Sequence, residues 1–103
     1  MKRESDVSDA RVVGHRMVND HGTIVGRVKD VIYSDRSNEP AWAVVGTGWF
    51  GSERLVPLHE AYVATDGKVV VPYDKATVKH APRARDHVLV PAVRAALAAY
   101  YAT

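Results

Sequence analysis

The branched aliphatic runs in this chain never extend far before a glycine or proline interrupts them, and that punctuation limits what it can fold into. Val13-Gly14, Gly22, Gly26-Arg27-Val28-Lys29-Asp30-Val31, Val56-Pro57-Leu58, Lys68-Val69-Val70-Val71-Pro72-Tyr73 and His80-Ala81-Pro82 follow one another in that order. Residues that favour pleated backbone, separated by residues that turn it sharply, make many short strands. No stretch before the last part of the chain can hold a sizeable helix. The expected architecture is mainly β, a small closed or half-closed sheet.

Residues 1–10 read as a flexible, solvated tail. Residues 11–18 are expected to open the first strand, with Asn19-Asp20-His21-Gly22 as its turn. Residues 24–34 are the longest strand candidate. Their alternation slips where Val31 follows Val28 by three residues, which points to a bulge near Lys29-Asp30. Residues 35–40 form a polar loop, 42–47 a strand, and 46–52 a glycine-rich connection into a strand over 53–58. Asp66-Gly67 reads as the turn of a hairpin between 61–65 and 68–73. A two-residue turn there sets Tyr62 opposite Val71 and Val63 opposite Val70, so both faces are apolar and the second needs a cover. A short helical turn is expected over Lys75–Lys79. A helix should start at Pro91, with Val93, Leu97, Tyr100 and Tyr101 on one stripe that lies across this sheet or across a neighbour.

With 103 residues, 47% hydrophobic and 25% charged, the chain suits one soluble globular domain. It has no cysteine, which excludes a disulfide framework, a thiolate metal site and a cysteine nucleophile, and suits a reducing compartment. Fourteen basic against twelve acidic residues leave a net charge of +2, too small an excess to imply a nucleic-acid partner. No apolar segment follows Lys2 and Arg3, and the apolar stretch 88–102 contains Arg94 and is too short to span a bilayer. A cytoplasmic protein with no membrane insertion is expected.

The order and separation of Val13-Gly14, the turn before Ile24, Gly26-x-Val28-x-Asp30-Val31, Val56-Pro57, Val69-x-Val71 and Ala81-Pro82 resemble PRC-barrel domains over roughly residues 12–82. The Tyr100-Tyr101 ending is similar to that of small stand-alone bacterial members. The resemblance implies a small PRC-type β-barrel of about six strands over residues 11–82, then a linker and helix over 83–103, serving as a docking module. Such domains occur in the photosynthetic reaction centre H subunit and in a ribosome maturation factor, where the domain contacts a ribosomal protein. The family shares no catalytic residues, so the resemblance carries none over.

Gly46-Thr47-Gly48-Trp49-Phe50-Gly51 spells G-x-G-x-x-G, but the residues after it read as strand, not as the helix whose amino end a pyrophosphate needs. Trp49 and Phe50 are then either contact residues or plugs of a barrel end. His15, His21, His59, His80 and His87 lack zinc spacing, and Val63 stands where the second histidine of a metalloprotease would follow His59-Glu60. No nucleophile elbow occurs, and the spacing of Asp30, Asp35, Glu53 and Glu60 demands no carboxylate pair. No catalytic residue, cofactor or metal is expected. Lys75, Lys79, Arg83 and Arg85 belong to the densest basic stretch, 75–87, where Tyr73 is the one aromatic nearby and a solvated face is favoured over RNA contact.

The expected function is a non-enzymatic protein–protein interaction adaptor that associates with itself as a homodimer and with an unidentified protein. Val63 and Val70, Trp49 and Phe50, and Leu97, Tyr100 and Tyr101 would form its adhesive surface. An RNA- or ribosome-associated accessory role for the basic stretch is the alternative, and a small-ligand or metal-binding barrel ranks below it.

Overall fold

A computed structural model describes residues 9–34, 36–48, 53–84 and 88–102. Its elements are α1 (Asp9–Val12), β1 (Arg16–Asn19), β2 (Ile24–Tyr33), β3 (Pro40–Gly46), β4 (Glu53–Pro57), β5 (Tyr62–Val63), β6 (Val69–Val71), α2 (Lys75–Lys79) and α3 (Pro91–Ala102). All six strands join one sheet in the order β4-β3-β2-β1-β6-β5, antiparallel throughout except where β1 runs parallel to β6. No ladder among the described residues joins β4 to β5, so the barrel-like sheet is half-closed. One hydrophobic cluster nevertheless includes Leu55 and Val56 of one edge strand, Val63 of the other, Val78 of α2 and Leu97 of α3.

The first strand starts later than the sequence suggests, because residues 9–12 form a helical turn that buries Val12 completely. The bulge falls where the slipped alternation puts it: Val28 faces Val45 and Asp30 faces Val44, leaving Lys29 as the extra residue. At Gly26 an added methyl would collide with the Gly46 carbonyl oxygen and the Val45 side chain. That close approach, not backbone freedom, is what requires glycine there. Both faces of β3 are covered, since Trp42, Ala43, Val44 and Val45 are all buried.

The hairpin register differs from the expected one by a residue. Gly67 takes φ +89°, its N–H donates to the Ala64 carbonyl at 2.9 Å, and the Ala64 N–H donates to the Lys68 carbonyl at 2.8 Å. The loop is therefore Thr65-Asp66-Gly67, a turn followed by a left-handed glycine. The Asp66 carboxylate accepts the Lys68 N–H at 3.1 Å, and this bond leads the causes that hold its carboxyl below the usual range. Tyr62 consequently faces Val70 and Val63 faces Val69. Val63 joins Val69 and Val71 in the core, and Val70 is on the opposite face from Val63 instead of beside it.

At the other edge the Leu58 N–H donates to the Ala41 carbonyl at 2.9 Å. Antiparallel pairs alternate between bonded and non-bonded, so Leu55 and Pro57 turn their backbone groups away from β3. Pro57 has no N–H to leave unpaired, and the Tyr101 hydroxyl of α3 donates to the Leu55 carbonyl oxygen at 2.7 Å. Together they blunt an open sheet edge. The helix expected at Pro91 therefore lies on this chain's own sheet. Its tyrosines face inward, and the Tyr100 hydroxyl donates to the Thr77 carbonyl at 2.5 Å.

Candidate functional site

The expected adhesive residues are mostly spent inside the molecule. Val63, Val70, Leu97 and Tyr101 are buried and Tyr100 is half-buried, so the hairpin and the helix stripe present no free apolar face. For Val63 the cause is the hairpin register; for Tyr101 it is docking against Trp42 of β3 and Leu55 of β4, and Leu97 joins the same core cluster. Trp49 and Phe50 lie outside the described residues, as does Arg85. Lys75, Lys79 and Arg83 are exposed on α2 and the segment after it. Tyr73, the aromatic nearest to them, has its ring against Tyr101 at 4.8 Å between centroids and is not displayed for base stacking. The Gly46-to-Gly51 motif links β3 to β4, and its residues 49–51 are outside the described set. Among the described residues no three histidines or carboxylates gather as a metal site, and no helix is long and apolar enough to cross a membrane.

What the fold does assemble is an aromatic cluster where α3 meets the sheet. Tyr101 sits at its centre, with ring centroids 6.5 Å from Trp42, 4.8 Å from Tyr73 and 5.2 Å from Tyr100. Burial first, then the neighbouring tyrosine hydroxyls, push the Tyr101 phenol far above its usual range, and Arg54 offsets this only in part. Burial also raises Tyr73, with the Glu60 carboxylate adding to the effect.

Two grooves flank Trp42 and share Ser34, Ala41 and Trp42 as common wall. The first, about 630 Å3, is bounded by Glu39 before β3, by His59 and Glu60 after β4, and by Ala98 of α3, with Tyr73 and Tyr101 also lining it. Its described lining holds two carboxylates and neither lysine nor arginine. The second, about 260 Å3, is lined by Ile32 and Tyr33 of β2, by Leu89 and Arg94 around the start of α3, and by Arg36. It holds two arginines and no carboxylate among the described residues.

The second groove adjoins, through Leu89, the two most exposed large apolar side chains among the described residues, Val88 at 57% and Val90 at 48%. Tyr33 in its lining is 36% exposed; Ile24 (46%) and Val13 (40%) are exposed as well. Val90 precedes Pro91, and a residue before proline favours extended backbone, in which neighbouring side chains point to opposite sides. Leu89 turns inward against the core while its two neighbours face solvent.

Sequence reasoning passed over most of this site. Arg36 and Glu39 share the loop between β2 and β3, but no spacing relates them to Arg94 of α3, whereas the apolar triad Val88-Leu89-Val90 before Pro91 is a signal that could have been found. A family model for the PRC-barrel domain matches residues 4–97, which takes in α1, the sheet, α2 and α3 as far as Leu97. No curated relative matches the sequence.

Proposed function

Because the chain belongs to the PRC-barrel domain family, we propose that it is a non-enzymatic interaction module that associates with a second copy of itself and so acts as an adaptor. The observation that carries this reading is the exposed apolar strip of Val88, Val90 and Tyr33 beside the second groove. Burying apolar side chains against a partner is favourable by about 25 cal/mol per Å2, and three such groups next to a concave wall form an adhesive patch. The side chains named from sequence contribute indirectly: Leu97 and Tyr101 anchor the helix that positions this strip.

The double variant Val88→Ser/Val90→Ser tests it, since both side chains face solvent and their loss leaves the core intact. Sedimentation velocity across a concentration series should show wild-type dimers and a monomeric variant with an unchanged circular dichroism spectrum. A wild-type chain that stays monomeric at every concentration, or a variant that dimerises equally well, defeats the reading.

A further inference from the structure

The apolar strip alone would not fix how two copies meet. A stable interface of standard size takes about 800 Å2 from each partner. Three exposed side chains cannot supply that area, so the surface must continue into what lies beside them. On this molecule that is the pair of grooves on either side of Trp42, and they carry opposite charge: Glu39 and Glu60 in the larger, Arg36 and Arg94 in the smaller.

We propose that two copies pair about a two-fold axis beside Trp42, Arg36 and Arg94 of each entering the acidic groove of the other; this rests on the self-association reading above. A two-fold interface uses the same patch on both partners, so the patch must be complementary to itself. Adjoining acidic and basic grooves with one shared wall meet that condition, because a half-turn brings each sign against its opposite. The axis must run between the two grooves, because a half-turn about the line that joins them sets arginine against arginine and glutamate against glutamate, which like-charge repulsion disfavours.

The larger groove suits an arginine in particular. Its volume of about 630 Å3 leaves room for a long side chain, and its described lining offers the two carboxylates neither lysine nor arginine, only the His59 ring 4.0 Å from Glu60. The guanidinium is planar, binds carboxylates with two parallel N–H donors and packs on aromatic faces, and Trp42, Tyr73 and Tyr101 line the same groove. Glu60 lines the groove together with these aromatic rings. The smaller groove would at the same time receive Glu39 and Glu60 of the second copy. Each groove is thus completed by the other molecule.

A charge swap tests the pairing. Glu39→Arg/Glu60→Arg makes both grooves basic, and Arg36→Glu/Arg94→Glu makes both acidic; all four side chains are exposed, so the fold should tolerate either change. Each variant alone should dimerise at least about tenfold more weakly than wild type in sedimentation velocity. Mixed in equal amounts they should recover dimers, which native mass spectrometry identifies as heterodimers from their distinct masses. Recovery also shows that both variants are folded. If the wild type dimerises and both variants match it, or if the mixture stays monomeric, the groove exchange is wrong while self-association stands. Open-ended oligomers in the mixture would rule out the two-fold arrangement. A monomeric wild type overturns both readings.

Discussion

Tyr101 shows how much one side chain can be asked to do. Its ring fills the space between Trp42, Tyr73 and Tyr100, and its hydroxyl satisfies the outward carbonyl of Leu55. Tyr101→Phe keeps the ring and removes the bond, leaving a carbonyl buried without its partner. The expected cost is about 1–2 kcal/mol, read from urea denaturation at neutral pH. The pH dependence follows from the same burial. A phenol held above its usual range keeps its proton more tightly folded than unfolded, so its stabilisation is complete below the ordinary phenol range and declines as pH rises through and beyond it. Wild-type stability should therefore fall more steeply in alkali than that of Tyr101→Phe, and the gap between them should narrow. Parallel curves would mean that the hydroxyl is not titrating against the fold.

At the scale of elements, the sequence was legible wherever a local pattern had one physical solution. The bulge at Lys29 was readable because a period of two cannot absorb an extra residue without turning every later side chain over. The helix start was readable because Pro91 fixes a helical φ and lacks the N–H that a first turn leaves unused. The hairpin register was not readable. Asp66-Gly67 serves equally in a two-residue turn and as the end of a three-residue one, and only the Ala64-to-Gly67 hydrogen bond decides between them. That single residue moved Val63 from an expected outer face into the core. The same scale explains why Gly26 matters. It lets β2 lie so close to the end of β3 that no side chain fits between them, and Gly26→Ala should cost about 3 kcal/mol or more through forced separation of the strands. Differential scanning calorimetry checks this, and an unshifted melting temperature would show that the strands part without strain.

At the scale of the whole molecule the question is whether α3 is an appendage or part of the fold. The sequence divides naturally after residue 82, where the recurring β signatures end and a linker and helix begin. The packing ties α3 to the sheet across that point: Leu97 is fully buried, Val93 and Tyr100 pack on the core, and Tyr101 blunts the open edge at β4. Each large core side chain removed costs about 2–5 kcal/mol, so losing Leu97 and Tyr101 together approaches the whole stability of a small domain, about 5–15 kcal/mol. Truncation after Ala84 should consequently yield a chain that unfolds or aggregates through its bared β4 edge, even though every strand of the sheet is still encoded. Circular dichroism melting and light scattering on the truncated chain decide the matter. A truncated monomer with a melting temperature close to that of the full chain would make α3 an accessory. The strip at Val88 and Val90 and the wall that α3 and its lead-in lend to each groove, Arg94 included, would then hang from a mobile arm, and no fixed geometry could pair them with a second copy.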